Sequence, residues 1–281
     1  AGLPLQRGRA GIGFVHNYTM MCGYALAHWD AYLLTGSEDH LQKLMAVATY
    51  ILQTGKVRGD GGMLLRTEKP SLGHIGEISS MIQGEAMSVL SRAWYVTRDQ
   101  SFLDAAAACI APFEESILQG GILGGISAAG VSWYEEYVTE PLNHVLNGMI
   151  FALWGLRDLA LMSGSESAKK LFDSGLESLR IALPMFDNGF WSWYWISEHG
   201  KPYIASMLYH NFHIAQLKSL ALQTGVVEFK ETAARFEAYS RSPRCRLMAA
   251  SRMLQKKFGL AMGGRQSFLA NLEENTRPTA D

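Results

Sequence analysis

Only three cysteines occur in 281 residues, Cys22, Cys109 and Cys245, and no two form a C-x-x-C pair. That spacing speaks against a disulfide scaffold and against a zinc–thiolate site, and no metal is expected. Neither sign of charge is in excess: 25 Lys and Arg face 26 Asp and Glu, a net charge of -1. Nucleic-acid binding usually needs a strongly basic face, so no nucleic-acid partner is expected. No apolar stretch of about 18 residues runs free of a charge, a histidine or a glycine, so no membrane span is expected. No signal peptide is legible in the given chain, which reads as soluble with no compartment assigned. A phosphate-cradling glycine loop followed by Lys and Ser/Thr, a dinucleotide fingerprint and a G-x-S-x-G elbow are all missing, which leaves chemistry without a cofactor. What is present is 48% hydrophobic and 18% charged residues, a globular composition with an ample core.

Patterning says more than composition. Four stretches share one design: a Gly or Asn opening, an apolar helix, a Thr/Ser turn and a second, amphipathic helix. They open at Gly23, Gly84, Gly148 and Asn211, at intervals of 61, 64 and 63 residues. The turns recur in phase at Thr35-Gly36, Thr97-Arg98, Ser163-Gly164 and Thr224-Gly225. Gly36, Gly164 and Gly225 can end a helix in the left-handed conformation, and Ser37 and Ser165 can cap the next one. In the first helices the apolar face is wide, with Leu153, Leu156, Leu159 and Ala160 at helical spacing and Trp154 broadening the stripe. The second helices carry one polar face, such as Lys169, Lys170, Asp173 and Glu177, which is expected to meet solvent. Inner apolar helices ringed by outer amphipathic ones predict an all-α fold, an α/α toroid of about four hairpins with short β-prone rim loops; an open solenoid of helix pairs is the alternative. The first helices are expected to be buried all round. Such a toroid is read as a single domain over residues 1–240. The segment SRSPRCRLMAASRMLQKKFG after Tyr239 holds six basic residues and no acid, and residues 241–281 are expected to form a basic, loosely ordered extension.

Three connections join the hairpins, near residues 56–82, 119–146 and 184–208. Each leaves a second helix and enters a first one, so all three are expected on one rim, where a site is normally built. The densest constellation there is Trp133-Tyr134-Glu135-Glu136-Tyr137. An extended strand would put Tyr134 and Glu136 on one side and Trp133, Glu135 and Tyr137 on the other, burying one carboxylate beside phenols and exposing its neighbour. The same residues also fit an edge strand with solvated glutamates. Phe190 through Trp195, FWSWYW, offers flat aromatic faces for a sugar ring or, equally, an aromatic plug. Tyr209-His210-Asn211-Phe212-His213 opens the fourth inner helix, where the histidines read as helix-start residues in preference to metal ligands. Arg58, Asp60, Arg66, His74 and Glu77 in the first connection are candidate contacts for anions and hydroxyls, Arg66 being suited to a carboxylate.

Taken together, Ser132-Trp133-Tyr134-Glu135-Glu136-Tyr137, Leu146-Asn147-Gly148 and Gly155-Leu156 with Asp158-Leu159 resemble the C-terminal helical domain of the heparosan/heparan D-glucuronyl C5-epimerase family. The likeness runs on through Gly175-Leu176-Glu177-Ser178-Leu179, Leu183-Pro184, Asp187 with Gly189, Tyr209-His210, His213 and Gln216-Leu217, and covers residues 80–240. It implies an (α/α)4-like barrel and a cofactor-independent isomerase that inverts C5 of glucuronate units in a polysaccharide. It also implies roles residue by residue: Glu136, Tyr137, Tyr194 and Tyr209 in catalysis. Trp133, Tyr134, Arg66, Trp193, His210, His213 and Asn147 are the candidate substrate contacts. The family's arginine after the Tyr194 position is replaced by Ile196 and Ser197, so Arg66 and Lys201 stand as candidate partners of the substrate carboxylate. A uronate polysaccharide lyase, and a catalytically inactive glycan-binding protein on the same scaffold, remain alternative readings. The expected partner is a uronic-acid-containing polysaccharide, and the open edges of four hairpins are compatible with a homodimer.

Overall fold

The computed structural model describes residues 2–7, 13–59, 61–69 and 74–255, with the side chains of 66–69 and 74–77 outside the description. Four helical hairpins carry the chain: α1 (Tyr18–Thr35) with α2 (Glu38–Thr54), α3 (Ser80–Thr97) with α4 (Gln100–Ala108), a short α5 (Ala111–Glu114), α6 (Leu146–Ser163) with α7 (Glu166–Ala182), and α8 (Met207–Thr224) with α9 (Val227–Arg241). Short strands lie in the segments before and between the hairpins, and residues 243–255 are helical. β1 (Gln6–Arg7) and β2 (Phe14–Val15) precede α1; β3 (Lys56–Val57), β4 (Met63–Leu64), β5 (Arg66–Lys69) and β6 (His74–Ile78) fill the first connection. β7 (Leu123–Ile126), β8 (Val131–Tyr134) and β9 (Asn143–Val145) lie in the second, and β10 (Trp193–Ser197) and β11 (Tyr203–Ile204) in the third. Two compact units result: a larger one, Ala1–Phe186 with Trp195–Pro202, and a smaller one, Asp187–Tyr194 with Tyr203–Asp281.

The hairpin corners repeat one local device. At the end of each first helix a hydroxyl donates to the carbonyl four residues back: Thr35 to Ala31, Thr97 to Ala93, Ser163 to Leu159 and Thr224 to Leu220, all at 2.7 to 2.8 Å. The same oxygen then accepts from the N–H two residues on, in Ser37, Asp99, Ser165 and Val226. Between them the chain turns left-handed at Gly36 (φ 67°), Arg98 (φ 59°), Gly164 (φ 70°) and Gly225 (φ 74°). Glycine meets that conformation without a steric cost. Arg98 adopts it with its guanidinium over the Trp94 and Tyr95 rings, 4.8 and 5.0 Å from their centroids. Ser165 caps α7 as expected, accepting from Ala168 N–H, whereas Ser37 makes no side-chain cap on α2.

The all-round burial expected of the first helices holds for two of the four. α3 and α6, each flanked by neighbours, bury most of their residues. α1 leaves Leu33 and Leu34 63% and 87% exposed, and α8 leaves Leu208 and Leu222 72% and 89% exposed. Hydrophobic pattern alone does not separate a covered apolar face from an open one. The tightest contact in the larger unit is α3 against α6. A Cβ on Gly84 would collide with the backbone at Phe151 and Ala152, and one on Gly155 with the backbone of Gly84. The connections of this unit meet one another: Ser80 N–H and Oγ donate to the carbonyls of Glu135 and Tyr134, both at 3.0 Å. Glu198 N–H reaches Leu142 O at 3.3 Å, and β9 pairs antiparallel with β10 through Trp195↔Val145.

The two kinds of helical glycine separate in a stability measurement. Gly155→Ala is expected to cost about 1–3 kcal/mol by overpacking. Gly23→Ala, whose added methyl meets open space inside α1, is expected to stabilise by up to ~1 kcal/mol. Denaturant unfolding of both variants checks this, and equal midpoints would contradict the packing described.

Candidate functional site

The Trp-Tyr-Glu-Glu-Tyr element leaves β8 and bends. β8 pairs with β7 in the register Leu123↔Tyr134 and Gly124↔Trp133, and the strand ends at Tyr134. The expected alternation therefore stops before the glutamates. Trp133 and Tyr134 are both buried, because each face of this short hairpin is covered. Trp133 stacks on Phe186 with centroids 5.5 Å apart. Tyr134 stands edge-on to Phe113 and donates its hydroxyl to Leu171 O at 2.8 Å. The Gly175 Cα–H side gives it room, since a Cβ there would strike the ring. Burial pushes the Tyr134 phenol well above its usual value, with the Glu114 charge adding to it. Both aromatics are packing residues where substrate contacts were expected.

Glu135 and Glu136 are both buried, in place of the one-in, one-out pair expected. Each lies against a glycine: a Cβ on Gly124 would collide with the Glu135 carboxylate, and one on Gly148 with the Glu136 carboxylate. The glycine of the Leu-Asn-Gly run thus makes room in the first turn of α6. Glu135 Oε1 lies 2.9 Å from His144 Nδ1, and His144 Nε2 lies 3.1 Å from Glu198 Oε1, which also accepts from Ser127 N–H at 2.9 Å. Burial opposes a charge on His144, but the two carboxylates outweigh it and raise its pKa. Burial lifts Glu135, with His144 opposing. Partial burial would lift Glu198 too, yet the Ser127 N–H and His144 hold it below the usual carboxylate range. Tyr137, next in the chain, is half-buried, and Asn147 is buried in α6 with Nδ2 3.9 Å from Met81 Sδ. Asn147 is thereby an interior residue in place of the substrate contact expected. Arg66 lies on β5, and its side chain falls outside the described residues, as do Asp60 and the side chains of His74 and Glu77. Arg58 makes a two-pronged pair with Glu115 at 2.6 Å.

The smaller unit holds the third connection's aromatics. Trp191 stacks on His210 with centroids 3.7 Å apart and donates Nε1–H to Ala205 O at 2.9 Å. His210 donates from Nε2 to Phe236 O at 3.0 Å, which leaves Nδ1 as acceptor for Ser192 N–H. Ser192 Oγ sits between His210 Nδ1 (2.8 Å) and His213 Nδ1 (2.9 Å). Burial lowers His210 to about 4 and His213 to about 3, so both are neutral at pH 7. Neither histidine is exposed, so the pair braces the start of α8 and does not present the substrate contact expected of it. What this brace carries is a pair of phenols. Tyr194 follows Ser192 by two residues and Tyr209 directly precedes His210; their ring centroids are 4.5 Å apart, with Tyr203 6.1 Å from Tyr194. Tyr209 is 37% exposed and Tyr194 is buried. Trp193 is half-buried on the opposite face of β10 from Tyr194.

Sequence reasoning missed Ser192, His144 and Glu198. No local spacing announces them: His144 lies 9 residues from Glu135 and 54 from Glu198, and Ser192 lies 18 and 21 from its histidines.

The chain is similar to known proteins in sequence and in fold. Residues 65–238 match the family described as D-glucuronyl C5-epimerase C-terminus. The D-glucuronyl C5-epimerase of Caenorhabditis elegans is 29% identical over 227 residues, covering 74% of this chain and 36% of that protein. The chain therefore spans little more than a third of that relative's length. Among solved structures, the GH76A α-1,6-mannanase of Salegentibacter sp. HEL1_6 aligns with TM-score 0.57 at 14% identity, over 86% of this chain and 66% of that one. The cellobiose 2-epimerase of Bacillus thermoamylovorans B4167 aligns with TM-score 0.54 at 14% identity, over 79% and 60%. These likenesses establish the α/α-toroid fold class.

The two histidine environments predict opposite pH dependences. His144 binds its proton more tightly folded than unfolded, so its contribution is full below about pH 6.5 and is lost as pH rises through its raised folded value. Glu135 adds to that loss with rising pH. His210 and His213 resist protonation when folded, so their contribution is full above about pH 6.5 and is lost as pH falls toward their folded values, with Glu198 adding to the acid-side loss. Thermal unfolding followed by circular dichroism is expected to show lower midpoints on both sides of near-neutral pH. His144→Gln should flatten the alkaline limb and His213→Asn the acid limb; limbs unchanged in both variants would refute the assignment.

Proposed function

The chain belongs to the D-glucuronyl C5-epimerase C-terminus family, and from that premise we propose that it inverts C5 of glucuronate units in a polysaccharide without a cofactor. The observation that carries the reading is the Tyr194–Tyr209 pair, two phenols with centroids 4.5 Å apart at positions where the family resemblance puts proton carriers. The proteins this chain resembles include a D-glucuronyl C5-epimerase and, in fold, a cellobiose 2-epimerase.

The chemistry suits these residue types. The C5–H bond breaks, its electron pair passes into the adjacent carboxylate as an enediolate, and the proton goes to a tyrosinate oxygen. A second tyrosine hydroxyl returns a proton to C5 from the other face of the ring, which leaves the configuration inverted. Proton and electron count are unchanged. An unperturbed tyrosine titrates near about 10, so the acting base needs hydrogen-bond donors or a cation beside it. Tyr137, Tyr194 and Tyr209 are the proposed carriers. Glu136, in its acid form, is assigned to the substrate carboxylate as a donor that steadies the enediolate. Glu135, bound to His144, is left out of the proton path and holds the backbone from which Glu136 projects.

The test is proton exchange in deuterated water across a panel of uronic-acid polysaccharides, read by NMR. Deuterium entering C5 with the chain intact is expected, and an unsaturated uronate absorbing in the ultraviolet would point to elimination and against inversion. Tyr137→Phe, Tyr194→Phe and Tyr209→Phe are expected to fold, and at least two should lose exchange by about a hundredfold or more. Near wild-type exchange in all three would remove the assigned roles.

A further inference from the structure

The smaller unit carries a recess that the proposed proton transfer does not use. Its volume is about 590 Å3, within the roughly 300–1,000 Å3 span of small-molecule sites. Two segments line it. Asn188, Phe190 and Trp193 come from the third connection, and Met248, Arg252 and Gln255 come from the helical residues 243–255. The first wall is held by its own turn, since Asn188 Oδ1 accepts from the N–H groups of Phe190 and Trp191 at 3.1 and 2.7 Å.

Two observations separate this recess from the phenol pair. Along β10 the burial alternates, Tyr194 and Ile196 being buried while Trp193 and Trp195 are half-buried, so Trp193 stands on the opposite face of the strand from Tyr194. The second wall lies beyond residue 238, where the match to the family ends.

The lining has the chemistry of a receptor for an acidic sugar. The rings of Phe190 and Trp193 offer flat faces to the C–H side of a pyranose. Asn188 and Gln255 supply amides for hydroxyl groups. Arg252 is exposed and has no ion pair among the described residues, so its guanidinium fork is open to a carboxylate or a sulfate. Charge complementarity extends past the recess, because the described residues 240–255 contain four basic side chains and no acid. We propose that this recess is a subsite for an anionic pyranose, one that holds an acidic unit of a glycan chain away from the reacting unit. The inference concerns binding alone and does not require C5 chemistry.

Calorimetric titration of the full chain tests it with three tetrasaccharides: one containing glucuronate, the same one sulfated, and a neutral one. Binding of at least one acidic probe is expected, tightest for the group Arg252 prefers, with the neutral probe at least about tenfold weaker. Arg252→Gln should weaken the acidic probe by about tenfold, and raising salt should weaken it further in the wild type but much less in the variant. Phe190→Ala should weaken all probes that bind. Tyr209→Phe, which removes a proposed proton carrier, should leave the Arg252-dependent binding in place. Acidic and neutral probes binding alike, or Arg252→Gln binding as wild type, would overturn the subsite. Absence of C5 exchange with Arg252-dependent binding intact would leave the subsite standing and remove the epimerase reading; exchange without any Arg252 dependence would do the reverse.

Discussion

Two glycines facing each other set the spacing on which the larger unit depends. Gly84 and Gly155 let α3 and α6 approach until backbone meets backbone, and no side chain fits between them. Close approach at that point keeps the starts of both helices near the second connection. Ser80, at the head of α3, binds the carbonyls of Tyr134 and Glu135. Gly148, in the first turn of α6, leaves room for Glu136. A sequence element that would otherwise be a loose loop is thereby fixed from both sides, and its carboxylates are taken out of water. Burial of that kind is costly unless the groups are paired. For Glu135 the answer is His144, itself anchored at its other nitrogen by Glu198.

The same residue type is held in two states by its partners. His144 sits between carboxylates, which favour the imidazolium in spite of burial. His210 and His213 face a carbonyl and a hydroxyl, which do not offset desolvation, and both stay neutral. In the first case the histidine stabilises charge, and in the second it orders neutral hydrogen bonds around Ser192. All three rings are buried, and each arrangement holds the segments around it in place.

The hairpin architecture was legible because its signals are local. A hydroxyl, a left-handed residue and an apolar helical stripe lie within one stretch each, and the helices end at 35, 97, 163 and 224, where the turns were read. What covered those stripes was not legible: Leu34 and Leu222 belong to the same pattern as Leu153 and Leu156 yet face solvent. The site was partly legible. Glu136 and Tyr194 lie in connecting segments, and Tyr209 sits in the first turn of α8, at the opening of the fourth first helix where the sequence put it. The faces of Trp133 and Tyr134 were misjudged because strand alternation presumes one wet side, and β8 is covered on both. His210 and His213 were read as helix-start residues and, through the resemblance, as candidate substrate contacts; that Ser192, far away in sequence, bonds both was not legible. Contacts that join distant segments leave no spacing behind.

The corners of the hairpins have a further consequence. Each closes on hydrogen bonds made within about six residues, from the helix carbonyl through the Thr or Ser hydroxyl to the following N–H. Such a corner keeps its angle whatever happens at the far end of the two helices. The fold is in this sense a set of self-setting brackets, and the segments strung between their open ends can change length and composition without altering the brackets themselves. New specificities can arise there by insertion or exchange while the helical frame is inherited intact.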